Sequence, residues 1–239
     1  MVTITKTCRH CDGDQLYRNG LTSNGKQRYQ CKDCGRSSRE DPQPQGYTEE
    51  ERERILRAYQ ERSSLRGLTR TFGVSRNTVS SWLKKKDELQ PELSTTLLPA
   101  PGSATLELDE LWSFVRSRNN KQWIWIALCR DTRQIVAYYV GDRSEASCRR
   151  LWERIPSEYR QAHIYSDFWA AYQAVLPADQ HTACGKESGQ TSHVERWNNT
   201  LRQRLARFVR KTLSFSKCEK MHEICLRLFL YRYNLQRLT

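Results

Sequence analysis

Residues 106–112 read Leu-Glu-Leu-Asp-Glu-Leu-Trp, and taking that stretch as a β-strand sets the reading of everything after it. Two more runs rich in β-branched and aromatic residues follow, residues 121–128 (KQWIWIAL) and 134–140 (QIVAYYV), the second pair joined around Arg130-Asp131-Thr132-Arg133. Three such runs separated by short polar turns predict an antiparallel meander. Asp142 or Ser144 is placed to cap a helix that reaches Ile155. Residues 163–167 (HIYSD) predict a fourth strand, running into a helix from about Trp169. Ser192-His193-Val194-Glu195 opens a long helix that continues from Arg196 to about Arg210. A last amphipathic helix begins near Ser216 and carries Ile224, Leu228 and Tyr231.

Three strands, a helix, a strand and another helix form the order of an RNase H-like α/β core, a mixed sheet with flanking helices, here over residues 105–239. In that order the first and fourth strands are neighbours. Asp109 on the first and Asp167 at the end of the fourth then converge, and Glu195, at a helix start, can complete the group. Hard oxygen donors of this kind suit Mg²⁺ or Mn²⁺, and metals so held serve in-line phosphoryl displacement.

Each acid also has a structural alternative. Alternation puts Glu110 on the face opposite Asp109, which counts against it, whereas Glu107 shares the Asp109 face and is a rival ligand. Asp167 can cap the helix behind it. Glu195 stands three residues after Ser192, where a capping-box glutamate belongs. Asp131 reads as a turn residue and Asp142 as a cap. Asn198, Asn199 and Arg202 share one face of the helix after Glu195. Arg196, Arg204, Arg207, Arg210 and Lys211 extend a basic surface suited to a phosphodiester backbone, the alternative for each being a solvated helix face. His193 can assist the site or simply open the helix.

Outward to the N-terminus, Cys8-x-x-Cys11 and Cys31-x-x-Cys34-Gly35 are two pairs with nineteen residues between them. Two thiolate pairs on tight knuckles close a tetrahedral Zn²⁺ shell, and four protein ligands leave no open position for catalysis. Asn19-Gly20 and Asn24-Gly25 are turn signals, and residues 27–30 predict a strand returning to the second knuckle. Residues 1–40 therefore read as a zinc ribbon, with Lys26, Arg28, Lys32 and Arg36 as its basic residues. Residues 47–86 carry three short helical patterns. Thr48-Glu49-Glu50-Glu51 opens the first, with Ile55, Leu56 and Tyr59 on one side. Leu65, Leu68 and Phe72 belong to the second, Gly73 turns the chain, and Ser75 caps a third with Val79, Trp82 and Leu83 inward. This is a helix-turn-helix pattern. Arg76, Asn77, Thr78 and Ser81 lie where side chains reach base edges, and Lys84 and Lys85 where they reach phosphates; a small bundle with a solvated basic face is the alternative. Residues 87–104, with Pro91, Pro99, Pro101 and Gly102, read as a linker.

The 239 residues hold 40 Lys and Arg against 27 Asp and Glu, a net charge of +13. From Arg196 to Lys220 there are eight basic residues and one acid, Glu219. Clustered positive charge points to double-stranded DNA, with binding that weakens steeply as salt rises. No apolar run approaches a membrane span, and Met1 to Arg9 has no signal-peptide core, so the expected setting is the bacterial cytoplasm, beside the nucleoid. Cys129, Cys148, Cys184, Cys218 and Cys225 are scattered and odd in number, which excludes a disulfide framework. They read as reduced, mostly buried thiols, Cys184 being the one expected to be exposed.

These residues carry a resemblance. The ribbon, the helix-turn-helix, LELDELW around Asp109, IYSDFWAAY around Asp167 and HVERWNNTLRQRLARFVRKTLSFSK from His193 are similar to the transposases of bacterial insertion sequence one, in the DDE transposase superfamily. The resemblance implies Asp109, Asp167 and Glu195 as the metal-holding trio and Arg202 as the basic residue two turns beyond the glutamate. It implies cleavage at terminal inverted repeats, strand transfer into target DNA by the freed 3′-hydroxyl, and at least a homodimer on paired ends. One departure stands out: many family members join two reading frames by frameshifting, and here one continuous chain spans both halves. The first two modules alone would also support a non-catalytic DNA-binding regulator, which the intact acid trio discriminates against, and the nuclease-like core a structure-specific nuclease.

Overall fold

The computed structural model describes residues 6–23, 25–40 and 46–238, in two compact units, residues 1–50 and 51–239. Asn24, one of the expected turn residues, lies outside the described residues.

The first unit is a three-stranded antiparallel sheet in the order β1 (Leu16–Leu21), β2 (Gln27–Cys31), β3 (Ser37–Arg39). The Asn19-Gly20 turn does not form. Both residues lie within β1, where the pairing with β2 slips between Arg18 and Leu21 and Gly20 sits at φ +72°. A glycine at positive φ serves a bulge as readily as a turn. The hairpin closes further on, where the Thr22 amide donates to the Lys26 carbonyl at 2.8 Å.

Three helices follow, α1 (Glu49–Tyr59), whose first two residues belong to the first unit, and α2 (Leu65–Phe72) and α3 (Arg76–Leu89) in the second. Gly73 ends α2 in the left-handed region at φ +68°, and Ser75 Oγ accepts the Thr78 amide at the start of α3. Only three residues separate α2 from α3 because these two caps nearly touch. The segment 87–104 is packed rather than free. A 3₁₀ turn at Leu93–Thr96 crosses the edge of the main sheet, with Leu93 against one face and Leu97 and Ala100 against the other. Gln134, fully buried, accepts from the Leu98 amide at 2.9 Å and donates to the Thr96 carbonyl at 2.7 Å.

The main sheet holds β4 (Thr105–Phe114), β5 (Lys121–Cys129), β6 (Ile135–Gly141), β7 (His163–Ser166) and β8 (His181–Ala183), in the order β6-β5-β4-β7-β8. The first three form the expected meander; β7 runs parallel to β4, and β8 parallel to β7. β8 is a three-residue strand whose sequence, His-Thr-Ala, carries no strand pattern. Helices cover both faces. α4 (Glu145–Arg154) and α5 (Ala170–Val175) pack on Leu106, Leu108, Trp125 and Ala127. α6 (Ser192–Arg204) and α7 (Glu219–Leu235) pack on Leu111, Ile124, Ile126 and Leu128. This is the mixed, helix-flanked sheet of an RNase H-like domain.

α6 is shorter than its sequence predicts. It stops at Arg204 rather than near Arg210, because Leu205 turns into the core and a 3₁₀ turn at Ala206–Phe208 buries Phe208. Of the scattered thiols, Cys129, Cys148 and Cys225 are buried. Cys218 is the exposed one; Cys184 is half-buried, its Sγ donating to the Ser166 carbonyl at 3.4 Å. Among the described residues, no helix is long and apolar enough to cross a membrane.

Candidate active site

β4 outruns its parallel neighbour. The β4–β7 pairing ends at Glu107 opposite Tyr165, and β7 itself ends at Ser166. Carried two residues on, that register brings Asp109 level with Asp167, at the point where the strand edge loses its partner. Side chains from both faces of β4 can curl into such a gap. Oxygens of Asp109, Glu110 and Asp167 all lie within 4.8 Å of one another. Glu195, from α6, and Asn198 line the same cleft, of about 580 Å³.

The inclusion of Glu110 corrects the expectation from alternation. Its backbone does face away from Asp109, towards α4 and α5, where Tyr172 Oη donates to Glu110 Oε2 at 2.7 Å and Arg143 Nε to Oε1 at 2.7 Å. Alternation fixes where a Cβ points, not where a carboxylate ends at an open strand edge. Arg143 is in turn held between Trp123 and Trp169, 4.7 and 3.9 Å from the ring centres. Tyr172 and Arg143 carry no signal of their own, since their meeting with Glu110 needs three separate segments of the chain.

Glu107, the rival, is spent elsewhere. It is fully buried, and its Oε2 accepts the backbone amides of His193 at 2.9 Å and Val194 at 3.0 Å. Its Oε1 meets His193 Nδ1 at 2.6 Å and Arg130 Nε at 2.8 Å. It thus caps the start of α6 from a neighbouring strand, satisfying amides that a helix N-terminus leaves unpaired. His193 is committed to that same contact. The Ser192 capping box is absent: Thr191 is the N-cap, and its Oγ1 donates to Glu195 Oε1 at 3.1 Å. Asp167 does accept the Trp169 amide at 3.0 Å, so it shapes the turn into α5 while it faces the cleft.

Asp109 accepts from Asn198 Nδ2 at 2.7 Å and from the Glu110 amide at 2.9 Å. Burial pushes its carboxyl up to about 7, with the charge of Glu110 next and those of Asp167 and Glu195 behind. Crowded carboxylates resist ionising together. A divalent cation relieves that repulsion, and the hard oxygen donors gathered here fit one. Among the described residues, Asn198 Oδ1 is buried with no hydrogen-bond partner. Arg202 and Arg210 line the same cleft. Burial first and the like charge of Arg210 second lower the Arg202 pKa, a pairing that an anion between them would stabilise.

The remaining basic residues divide. Arg196, Arg210 and Lys211 are exposed. Arg204 is tied to Glu61 at the end of α1. Arg207, expected on the DNA-facing surface, is buried: it donates to Tyr59 Oη at 2.7 Å, to Ser216 Oγ at 3.2 Å and to the Met221 carbonyl at 3.2 Å. The early end of α6 turned it inward. On α3, Arg76, Asn77, Ser81, Lys84 and Lys85 are exposed and Thr78 is half-buried, its hydroxyl shared with Ser75. Arg28, in the ribbon, is exposed.

In the first unit, Cys8, Cys11, Cys31 and Cys34 form a single cluster. Cys8 and Cys34 Sγ are 3.6 Å apart, and Cys11 and Cys31 Sγ 3.7 Å. The edge of a tetrahedron with ~2.3 Å zinc–sulfur bonds is about 3.8 Å, so the four thiols fit a structural zinc.

Two family models match the chain: IS1 transposase over residues 104–236, and InsA N-terminal domain over residues 1–35. The insertion element iso-IS1n protein InsB of Shigella dysenteriae is 36% identical over 127 residues, 53% of this chain and 94% of that protein. The insertion element IS1 4 protein InsB of Escherichia coli (strain K12) is 32% identical over 139 residues, 57% of this chain and 80% of that protein. The insertion element IS1 protein InsB of Shigella flexneri is 34% identical over 117 residues, 49% of this chain and 86% of that protein.

Proposed function

The chain belongs to the IS1 transposase family, and from that premise we propose that it binds the terminal inverted repeats of an insertion element, cleaves there and joins the freed end to target DNA. The observation that carries this reading is one cleft lined both by carboxylates, Asp109, Glu110, Asp167 and Glu195, and by the guanidinium groups of Arg143, Arg202 and Arg210. A phosphodiester needs both: cations for its oxygens, and acids to hold the metals that act on it.

In this reading Asp109, Asp167 and Glu195 hold divalent metal, Mg²⁺ or Mn²⁺, with Glu110 beside them. When bound, such ions activate the attacking oxygen and stabilise the departing one. Asn198 orients Asp109 through its 2.7 Å hydrogen bond. Arg143 and Tyr172 hold Glu110 in place, and Glu107 fixes the start of α6, so that Glu195 and Asn198 are presented from a rigid helix. Arg202 and Arg210 grip the phosphate chain. The exposed residues of α3 read the repeat: Arg76, Asn77, Thr78 and Ser81 at base edges, Lys84 and Lys85 on phosphates. Arg196, Lys211 and the ribbon's Arg28 add contacts to the backbone. A dimer pairing two ends follows from joining two cuts.

The test is strand transfer of a labelled element end into plasmid DNA. Asp109→Asn abolishes Mg²⁺-dependent joining while the affinity for the end stays within about 3-fold of wild type, since phosphate and base contacts lie elsewhere. Full activity in that variant overturns the site assignment. A wild-type chain that binds ends but never cuts them supports a DNA-binding regulator instead. Cutting without joining supports a nuclease.

A further inference from the structure

We propose that Phe168 is a base-stacking residue, receiving an unpaired base of the DNA end next to the phosphate held at the acids; this rests on the transposase reading above. Phe168 stands between Asp167 and Trp169 in the turn from β7 to α5, and it lines the same cleft as Asp109, Glu195 and Arg202. It is 63% exposed. Every other aromatic residue described in 51–238 is buried or half-buried. Among the described residues, the Phe168 ring meets neither another ring nor a cation.

Single exposed apolar side chains are ordinary on protein surfaces. This one differs in its place and its support. The cleft it lines carries carboxylates, amides and guanidinium groups beside Leu108, Leu111, Trp169 and Cys184, yet the Phe168 side chain stays largely open to solvent. The backbone that carries it is held on both sides. Ser166 Oγ donates to the Asp167 carbonyl at 2.9 Å, Asp167 accepts the Trp169 amide at 3.0 Å, and Trp169 lies against Arg143 at 3.9 Å. The backbone of Phe168 is therefore anchored beside the acids, and the ring it carries opens on the cleft.

A nucleobase supplies what that ring lacks. Every base has a flat π face, so stacking on an aromatic side chain tolerates any sequence. Bases next to a scissile bond in duplex DNA are paired and stacked, and that geometry resists bending the phosphate into a cleft. Opening the adjoining pair frees the backbone, and an apolar side chain at the opened step offsets part of the unstacking cost.

The test uses the full chain and a duplex carrying the terminal repeat, with 2-aminopurine beside the scissile phosphate. With Ca²⁺ in place of Mg²⁺ the readout is binding alone. Wild type raises the 2-aminopurine emission as the base leaves the stack. Phe168→Ala loses most of that rise, and Phe168→Trp still unstacks the base. With Mg²⁺, Phe168→Ala cleaves the paired end about 10-fold more slowly than wild type, and recovers to within about 2-fold when the adjoining pair is mismatched beforehand. The proposal is overturned if Phe168→Ala gives the wild-type emission rise, or if it loses equal activity on paired and pre-opened ends, as a purely structural residue or a contact to a second chain would. If wild type cleaves neither substrate, the transposase reading fails, while the emission arm, which needs no chemistry, still decides on Phe168.

Discussion

Glu107 and Asp109 are two residues apart on one face of one strand, and their surroundings give them opposite work. Glu107 takes two backbone amides, a histidine and an arginine, whereas Asp109 takes one side-chain amide and its neighbour's backbone amide and opens on the cleft. Removing the Glu107 carboxylate leaves the start of α6 with buried, unpaired amides. Glu107→Ala is expected to cost about 3 kcal/mol, read as a lower urea midpoint with an unchanged slope. A metal ligand behaves the other way: its loss weakens Mn²⁺ binding and leaves folding stability nearly intact. A stable Glu107→Ala that no longer binds Mn²⁺ would restore Glu107 as a ligand. Period-two alternation placed both acids on one face and could go no further. What separates them is a contact to His193, 86 residues along the chain. The same alternation counts against Glu110, yet its carboxylate reaches the cluster beyond the end of β7.

α6 is positioned at both ends by other elements. Glu107 caps its start. At its finish, Arg62 donates its backbone amide to the Arg204 carbonyl at 2.7 Å and Nη1 to the carbonyls of Arg202 and Gln203 at 3.1 and 3.2 Å. Arg62 lies just beyond α1, at φ +71°, where a side chain is strained. Carbonyls at a helix C-terminus favour a cation, and here the cation comes from the three-helix segment. Glu61 completes the clasp on Arg204. Arg62→Ala keeps the strain and loses the guanidinium, so it is expected to lower stability by about 1–2 kcal/mol and to speed amide exchange in the last turn of α6. Arg62→Gly loses the same guanidinium but sheds the strain, and should fall between Ala and wild type. Equal losses in both variants would show that the backbone strain is immaterial. The sequence between Arg196 and Arg210 contains neither Gly nor Pro, so no local signal marks the end of α6. Tertiary capping sets it, and that is why Arg207 was expected at the surface and lies inside. The meander, the Gly73 turn and the Ser75 cap were legible, since each is written in consecutive residues.

At the scale of the molecule, the two units keep their folds by different means. Among the described residues of the first unit, the buried apolar side chains are Cys8 and Cys31, both in the metal cluster. A sheet of that size with no core of its own leans on zinc, which contributes on the order of 10 kcal/mol in such modules. The second unit buries two clusters, one on each face of its sheet. All seven tryptophans, Trp82, Trp112, Trp123, Trp125, Trp152, Trp169 and Trp197, belong to that second unit. Tryptophan emission thus reports on one unit alone. Chelation should release one zinc per chain and expose the segment up to about residue 46 to protease, while tryptophan emission and the main thermal transition stay where they were. Zinc loss that shifts the emission would mean the second unit depends on the ribbon. A chain that keeps its protease resistance without zinc would mean the four thiols hold the ribbon unaided. The CxxC spacing made this dependence readable from sequence because four ligands in two knuckles are a local pattern. The acid cluster needed two strands, β4 and β7, the helix α6 and an early strand end before its members could be told from their neighbours.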